Sequence, residues 1–299
     1  MLEVKHLVKT FGDFTAVDDI SFKIPDGKIL GLIGQNGAGK TTTFRLILDF
    51  LTQDSGSVLW NGQPLTEKDY NIIGYLPEER GLYPKISIQD QLLYFAALRG
   101  KSKQEIEPKI DEWMEKFKVK GKKTDKVKSL SKGNQQKVQL IATLIHEPKL
   151  IILDEPFSGL DPVNAELLKD GIIALKDQGS VVIFSSHNMD NVEKICDHLV
   201  MLKDGKMVLD GPVHQIREQF GRTKVFLESS LTPEAVLAIP GVKQAKLRSD
   251  GVVEITLADP AVGKEIFAQA TSFGYIPMFN QQPPTLEEIF KLKAGGDHE

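Results

Sequence analysis

The chain is poor in cysteine, and it has neither a long hydrophobic run nor a large net charge. Its single cysteine, Cys196, excludes an internal disulfide framework and is typical of a reducing compartment. The most apolar runs, such as 150–153 and 180–184, have the length of a strand, whereas a membrane-spanning helix needs about 20 apolar residues. The 37 basic and 41 acidic residues give a formal charge of -4, which argues against nucleic-acid binding driven by bulk charge. The amino terminus has no apolar signal core, so we expect no secretion.

What the chain does have is an ordinary globular composition, with 299 residues of which 41% are hydrophobic and 26% charged. This length exceeds what one compact core usually holds, so we expect two domains. Apolar strands dominate the beginning of the chain, where Asn61-Gly62 predicts a tight hairpin. From about 87 to 146 the apolar spacing becomes helical, with a capping box at Ser102 and Glu105. Buried strands then alternate with helices, which predicts a largely parallel sheet covered by helices.

A second unit begins near Arg222. Its predicted elements follow the order strand, helix, strand, strand, helix, strand, and a last helix covers about 285–293. The turn Ser249-Asp250-Gly251 joins the middle pair of strands as a hairpin. This order is the ferredoxin-like pattern of a small α+β domain. The predicted divisions of the chain are 1–221, 222–294 and a flexible tail at 295–299.

A glycine-rich loop follows the apolar strand at 29–33 and precedes a helix. It reads Gly34-Gln35-Asn36-Gly37-Ala38-Gly39-Lys40-Thr41, which matches the phosphate-binding pattern G-x-x-x-x-G-K-[ST]. Such glycines let backbone N–H groups turn towards phosphate oxygens, and the helix N-terminus adds partial positive charge. Lys40 can reach the β- and γ-phosphates, and the Thr41 hydroxyl can ligate Mg²⁺. The predicted nucleotide-binding residues of this segment are Gly34, Asn36, Gly37, Ala38, Gly39, Lys40, Thr41 and Thr42.

A second, independent element is an apolar strand at 150–153 that ends in two acids, Asp154 and Glu155. A fully buried strand carries carboxylates only at its exposed end, where a metal or water satisfies them. Asp154 is suited to binding Mg²⁺, and Glu155 to polarising a water aimed at the γ-phosphate. Alone, the same residues are also typical of a strand that runs into a helix cap before Pro156. Their combination with the phosphate loop favours nucleotide hydrolysis.

The segment Leu130-Ser131-Lys132-Gly133-Asn134-Gln135 lies immediately before a predicted helix. A serine and a glycine at a helix N-terminus form an anion site, although the same residues also make a routine cap. The segment resembles the Leu-Ser-Gly-Gly-Gln signature of ABC-type ATPases, from which it departs at Lys132 and Asn134. It keeps Ser131 and Gly133, the positions that contact phosphate in that family.

Other parts of the ABC pattern follow in order. Phe11 matches the aromatic residue that stacks on adenine, 158–161 resembles the loop that follows the acidic strand, and His187 matches the switch histidine. The resemblance covers residues 1 to about 220. It implies an α/β P-loop ATPase cassette with a mixed β core and a helical subdomain, which binds ATP and Mg²⁺.

One position departs from the family in a way that concerns the metal. Glu78 follows Pro77 where the family carries a glutamine that touches Mg²⁺ and the attacking water. A carboxylate there adds negative charge beside the metal. The predicted metal ligands are therefore Thr41, Glu78 and Asp154, whereas Glu79 is expected to be a solvated charge.

The resemblance also implies how the chain assembles. In the family, each ATP lies between the phosphate loop of one cassette and the signature of a second. This chain has one set of motifs, so two copies are expected to pair head to tail when ATP is bound. Ser131 and Gly133 of one copy would then contact the nucleotide of the other. The predicted catalytic residues are Lys40, Glu155 and His187.

Three classes of protein share the phosphate loop, and each is a candidate class for this chain. A GTPase or kinase leaves the signature unexplained, and the guanine-binding pattern Asn-Lys-x-Asp does not occur. Soluble ABC ATPases of translation usually carry two cassettes, and those of DNA repair insert long coiled coils. Here only about 90 residues separate Lys40 from Leu130, without sustained heptads. The motifs favour the ATPase subunit of an ABC transporter, with a soluble ABC ATPase as the alternative.

Two segments favour export as the direction of transport. The stretches 75–83 and 284–290 resemble bacterial and archaeal exporters of the sodium-efflux and drug-resistance type. The resemblance implies a cytoplasmic subunit, peripheral on the inner face of the cell membrane, that works with integral membrane permease subunits. Leu82, Tyr83 and Ile86 are candidate apolar contacts for a short helix of such a permease. Nothing in the sequence identifies the cargo.

Overall fold

The computed structural model describes residues 1–79, 81–272 and 274–295. It divides into two compact units, Met1–Gly211 and Pro212–Glu299. The division therefore lies ten residues before the boundary at 221 that the sequence suggests. The intervening helix groups with the second unit, since the Arg217 guanidinium donates hydrogen bonds to the carbonyls of Pro283 and Pro284.

The strands of the first unit form two sheets. They are β1 Leu2–Phe11, β2 Phe14–Ile24, β3 Ile29–Ile33, β4 Ser55–Trp60, β5 Gln63–Pro64, β6 Ile73–Leu76, β7 Leu150–Leu153, β8 Val181–Ser186, β9 His198–Lys203 and β10 Lys206–Pro212. One sheet is antiparallel with the order β2-β1-β4-β5. The other has the order β10-β9-β3-β8-β7-β6, and its strands from β9 to β6 are parallel.

Complete burial explains why the second sheet is parallel in its centre. Every residue of β3, β7 and β8 is buried, as expected for strands that are covered on both faces. In the register of these strands, Ile33 lies opposite Ser186, and Leu153 lies opposite Phe184. Because the strands are parallel, the loops that follow β3, β7 and β8 leave from the same edge of the sheet.

The hairpin predicted at Asn61-Gly62 is confirmed. Both residues have positive φ, 51° and 81°, which a tight primed turn requires. Trp60 pairs with Gln63 directly across the turn.

The helices of the first unit are α1 Lys40–Ile47, α2 Ile88–Ala97, α3 Lys103–Ile106, α4 Ile110–Lys116, α5 Lys132–Leu144, α6 Pro162–Asp177 and α7 Met189–Ile195. Those from α2 to α5 interrupt the sheet between β6 and β7, as the helical spacing predicts. The capping box at the start of α3 is confirmed, since Ser102 and Glu105 bond reciprocally. Within the described ranges, no helix combines the length and the apolar character needed to cross a bilayer.

The second unit has the ferredoxin-like arrangement that the sequence predicts. Its elements are α8 Val213–Gln219, β11 Lys224–Glu228, α9 Pro233–Leu237, β12 Val242–Leu247, β13 Val253–Leu257, α10 Val262–Ser272, β14 Met278–Gln282 and α11 Leu286–Ala294. The strands form an antiparallel sheet with the order β12-β13-β11-β14. Val225, Ile255 and Ile266 are fully buried in its core. The predicted flexible tail lies, after Gly295, outside the described residues.

Candidate functional site

The loop between β3 and α1 is shaped around the side chain of Lys40. Its ammonium donates hydrogen bonds to the carbonyl oxygens of Gly34, at 2.8 Å, and Gln35, at 3.1 Å. The side chain is buried, and this burial lowers the pKa of Lys40, although nearby carboxylates, Glu155 foremost, oppose the shift. A buried cation held by two carbonyls at the start of a helix is a suitable partner for an anionic ligand.

Glycine is required at the last position before α1. Gly39 has φ 102°, and a Cβ atom there would lie 2.4 Å from the backbone oxygen of Ala16. A side chain would therefore both strain the backbone and collide with β2. This close approach brings the N-terminal end of α1 next to the β1–β2 hairpin.

The carboxylate of Asp154, at the end of β7, is held on both sides. Its Oδ2 accepts a hydrogen bond from the Thr41 hydroxyl at 2.9 Å, and its Oδ1 accepts one from the Ser185 hydroxyl at 2.6 Å. Asp154 is 3% exposed, and Ser185 is fully buried. The ends of three neighbouring elements, α1, β7 and β8, are thus joined through one carboxylate.

Glu155 adopts an unusual backbone conformation, with φ 47°. A non-glycine residue with positive φ is uncommon and is stabilised by its surroundings. Here the Glu155 amide donates to the Ser185 hydroxyl at 2.7 Å, and the Glu155 carboxylate accepts a hydrogen bond from His187 Nδ1 at 2.9 Å. The turn directs the carboxylate towards His187 and the phosphate loop rather than along the strand.

These groups line one cavity of about 470 Å³. Its lining residues are Phe14, Ala16, Asn36, Gly37, Gly39, Lys40, Thr41, Thr42, Glu78, Asp154, Glu155, Ser158 and His187. We call this space the phosphate cavity. It combines a buried ammonium, a helix N-terminus, three hydroxyl-bearing residues and three carboxylates, which suits a phosphate ester together with a divalent cation.

The donor set also fits Mg²⁺. This ion takes oxygen ligands and is usually held by one or two carboxylates together with phosphate oxygens and water. Thr41, Glu78 and Asp154 supply such oxygens to the cavity. In the described part of the chain, no group of three or more His, Cys, Asp or Glu side chains forms a metal site by itself. A metal here would therefore share its coordination with the ligand.

Several predicted residues do not line the phosphate cavity. Gly34 and Ala38 belong to the loop but not to the lining. The carbonyl oxygen of Gly34 accepts a hydrogen bond from Lys40, and Ala38 is buried. Phe11 is 47% exposed at the end of β1, and the cavity is lined instead by its cross-strand neighbour Phe14. The sequence motif predicts Phe11 alone, although the short Gly12-Asp13 turn between the two aromatic residues is a local signal for Phe14.

Ser131 and Gly133 also lie outside the lining of the phosphate cavity. Ser131 caps α5, since its hydroxyl accepts from the backbone N–H of Asn134 at 3.4 Å. The next turn of α5 is tied to the cavity rim, because the Gln136 side-chain amide donates to the carbonyl oxygen of Ser158 at 2.8 Å. Sequence patterns gave no sign of this link between the two segments.

Comparison with known proteins agrees with this geometry. Residues 17–158 match the family described as ABC transporter, and residues 211–294 match the family of the carboxyl-terminal domain of DrrA1-3-like ATP-binding proteins. The ABC transporter ATP-binding protein YhaQ of Bacillus subtilis (strain 168), described as uncharacterized, is 46% identical over 299 residues, which is 100% of both chains. This chain belongs to the ABC transporter ATP-binding proteins.

Two further comparisons extend over large parts of this ABC ATPase. The Nod factor export ATP-binding protein I of Rhizobium etli is 26% identical over 302 residues, covering 100% of the present chain and 94% of the relative. A solved structure described as the ATP binding subunit of an ABC transporter has 32% identity and a TM-score of 0.69, covering 74% of this chain and 93% of that one.

Membership in this family decides between the classes that the sequence left open. The chain is an ATP-binding and ATP-hydrolysing subunit of an ABC transporter, and such subunits work with membrane permeases. The expectation of an ABC cassette is confirmed, and the GTPase or kinase alternative is wrong. The soluble, non-transport ABC class also loses support, because these relatives are named as transporter or export subunits.

Proposed function

We propose that this ABC ATPase powers export through separate integral membrane permease subunits, with two copies of the chain closing around two ATP molecules. The observation that carries the proposal is the composition of the phosphate cavity. It contains the phosphate loop, the metal oxygens and Glu155, but Ser131 and Gly133 are not part of its lining. A second copy would supply the missing side. The resemblance to a Nod factor export protein supports the outward direction.

In this proposal the residues of the cavity have distinct roles. Lys40 neutralises charge on the β- and γ-phosphates, and its two carbonyl partners keep it in position. Bound Mg²⁺, held by Thr41, Glu78 and Asp154, would supply further positive charge to the phosphates. Phe11 and Phe14 offer aromatic faces for the adenine at the entrance.

Glu155 and His187 are the residues that act on the attacking water. The Glu155 carboxylate accepts a proton from the water as it attacks the γ-phosphate in line. Its hydrogen bond from His187 Nδ1 holds the carboxylate in one orientation and leaves the second oxygen for the water. His187 is 68% exposed on its side chain, so its ring is accessible to the γ-phosphate.

The proposed contact with a permease is the surface around the loop at 81–87. Tyr83 is 50% exposed, and its ring packs edge-on against Tyr94 at 5.6 Å and stacks with Phe95 at 6.2 Å. Exposed aromatic clusters are typical of protein interfaces. Docking there would hold the ATPase on the cytoplasmic side of the membrane, although the chain itself is peripheral.

The substitution Glu155→Gln tests the pairing of two copies. It removes the base but keeps the shape and the hydrogen bonding of the side chain, so ATP stays bound and unhydrolysed. We expect loss of hydrolysis and a dimer that forms only with ATP and Mg²⁺, measured by light scattering after size exclusion. Glu265→Gln, an exposed substitution on α10, is the matched control and should behave as the wild type. A Glu155→Gln variant that stays monomeric with saturating ATP and Mg²⁺ contradicts the proposal.

Co-purification tests the transporter assignment separately. The tagged chain, expressed in its own host, should retain a protein with several membrane spans after mild detergent extraction. Retention of ribosomal or DNA-repair proteins instead would favour the soluble alternative.

A further inference from the structure

A second cavity of the first unit, about 150 Å³ in volume, shares no lining residue with the phosphate cavity. Its walls come from β6, the loop after β6, and the helices α2 and α5 with the residues that follow them. Much of the wall is apolar and is formed by Pro77, Leu82, Phe95 and Ala142. We call this space the groove cavity.

One buried polar atom of the groove cavity has no partner. His146 is 3% exposed and lies in the lining, and its Nδ1 makes no hydrogen bond with any described residue. Its Nε2 lies 3.2 Å from the carbonyl oxygen of Ile73. Since a carbonyl only accepts, Nε2 carries the hydrogen and Nδ1 presents a lone pair. Burial lowers the pKa of His146 to about 4, so the ring is neutral at neutral pH.

Two neighbouring side chains of the wall, Thr143 and Gln139, donate to other acceptors. The Thr143 hydroxyl donates to the carbonyl oxygen of Gln139 at 3.0 Å, and the Gln139 amide donates to the carbonyl oxygen of Glu79 at 3.2 Å. Native proteins rarely leave a buried polar atom without a partner. Because His146 Nδ1 has no hydrogen-bond partner among the described residues, its donor must come from another molecule.

Arg99 supplies hydrogen-bond donors to the same cavity, whereas His146 Nδ1 is an acceptor. Its guanidinium donates to the carbonyl oxygen of Tyr70 at 2.9 Å, and among the described residues no carboxylate pairs with it. It lies close enough to His146 to disfavour protonation of the imidazole. The groove cavity thus presents unused N–H donors and a bare acceptor nitrogen within an apolar wall.

Size and polarity together select one kind of occupant. An apolar cavity of about 150 Å³ is known to hold a benzene ring. The ring must carry a group that donates to His146 and accepts from Arg99, and a phenolic hydroxyl does both. A carboxylate would place its lone pairs against Nδ1, and an ammonium group would meet the charge of Arg99.

We infer that the groove cavity receives a tyrosine side chain of a membrane permease, with its ring against Leu82 and Phe95 and its hydroxyl between His146 Nδ1 and Arg99. This inference rests on the proposed docking of a permease at the loop 81–87. The apolar walls bind the ring, while the two polar groups distinguish tyrosine from phenylalanine. The same hydroxyl satisfies the bare nitrogen, so the complex completes a network that the single chain leaves open.

The side-chain analogue p-cresol tests this chemistry without the permease. The full-length chain, labelled with ¹⁵N, is titrated with p-cresol, toluene and acetate while the imidazole signals of His146 are followed by NMR. We expect p-cresol to shift the Nδ1 signal and to bind at least fivefold more tightly than toluene. Acetate should produce no shift at Nδ1.

Two variants assign the preference to the named groups. His146→Phe keeps a ring but removes the acceptor, and Arg99→Met keeps the length of the side chain but removes the donors. Each should reduce the preference for p-cresol over toluene to less than twofold, read from backbone amide signals of α5. His214→Phe, which changes a side chain that is 84% exposed in the second unit, should keep the full preference.

Equal binding of p-cresol and toluene, or no binding of p-cresol, would overturn the inference. Tighter binding of acetate would do the same and would indicate an acidic partner. These readouts do not involve ATP, so they can fail while hydrolysis and the Glu155→Gln dimer behave as proposed. Conversely, if the hydrolysis and dimer experiments fail, the preference for p-cresol over toluene can still be measured.

Discussion

The phosphate cavity and the groove cavity lie in the same unit, but their buried polar groups are satisfied in different ways. In the phosphate cavity, the Ser185 hydroxyl bonds both Asp154 and the Glu155 amide within a continuous network. In the groove cavity, His146 Nδ1 has no partner among the described residues. A closed network indicates a site that is already arranged for a small ligand, whereas an open acceptor indicates a site that another molecule completes. Three substitutions test whether the first cavity is arranged in this way.

Lys40→Ala should have the largest effect, because it removes a buried cation from the phosphate cavity. Loss of one preorganised charge or donor costs about 100- to 1,000-fold in rate, so we expect ATP hydrolysis to fall by this factor. Phosphate release from the purified chain measures it. Lys243→Ala, at an exposed position of β12, should keep wild-type activity. Hydrolysis by Lys40→Ala within threefold of the wild type would contradict the role proposed for this residue.

Ser185→Ala should have an intermediate effect, since it breaks the network without touching the nucleotide. It leaves Asp154 Oδ1 and the Glu155 amide without their partner, which costs about 1–3 kcal/mol for each buried group. We expect kcat to fall about tenfold while the KM for ATP changes less than twofold, because Lys40 and the phosphate loop are unaltered.

Ser180→Ala is the matched control for this loss of stability. Ser180 is also buried, but it lies directly before the opposite end of β8, where its hydroxyl donates to the carbonyl oxygen of Pro148 at 2.8 Å. We expect its free energy of unfolding to fall, with kcat within twofold of the wild type. An equal loss of kcat in both variants would show that Ser185 acts through stability alone.

Glu78→Gln should have the smallest effect, a few-fold change in the Mg²⁺ concentration that supports half-maximal hydrolysis. The change removes one negative charge from the proposed metal ligands, so more Mg²⁺ should be required. Titration of hydrolysis with Mg²⁺ and Mn²⁺ measures the shift. Glu79→Gln is the neighbouring control, and its Mg²⁺ dependence should match the wild type. If Glu78→Gln also matches the wild type, the proposed metal contact is wrong.

The features that could be predicted from sequence depend on residues that are close along the chain. The hairpin at Asn61-Gly62 and the capping box at Ser102 each follow from a few neighbouring residues. The order of elements in the second unit likewise follows from local patterns and gives its ferredoxin-like sheet. The phosphate loop and the acids after β7 are recognisable for the same reason, and Lys40, Asp154 and Glu155 line one cavity.

The features that the sequence did not reveal depend on which strands become neighbours. Ser185 bonds Asp154 because β8 inserts between β3 and β7, and no local pattern states that order. His146 lines the groove cavity because the residues after α5 pack near β6, about 70 positions away in the chain. Phe14 differs from these cases, since the sequence motif predicts the aromatic role for Phe11 alone, whereas its partner across the hairpin lines the cavity.

The hydrogen bond from Gln136 to the carbonyl oxygen of Ser158 has a consequence for the proposed pair of chains. Gln136 follows the helix tip that would contact the partner's nucleotide, while Ser158 lines the phosphate cavity of its own chain. In the proposed pair, this bond would pass a shift of one segment on hydrolysis to the other. The two ATP molecules of a pair would then be consumed cooperatively rather than independently, with a Hill coefficient above one for the rate as ATP concentration rises.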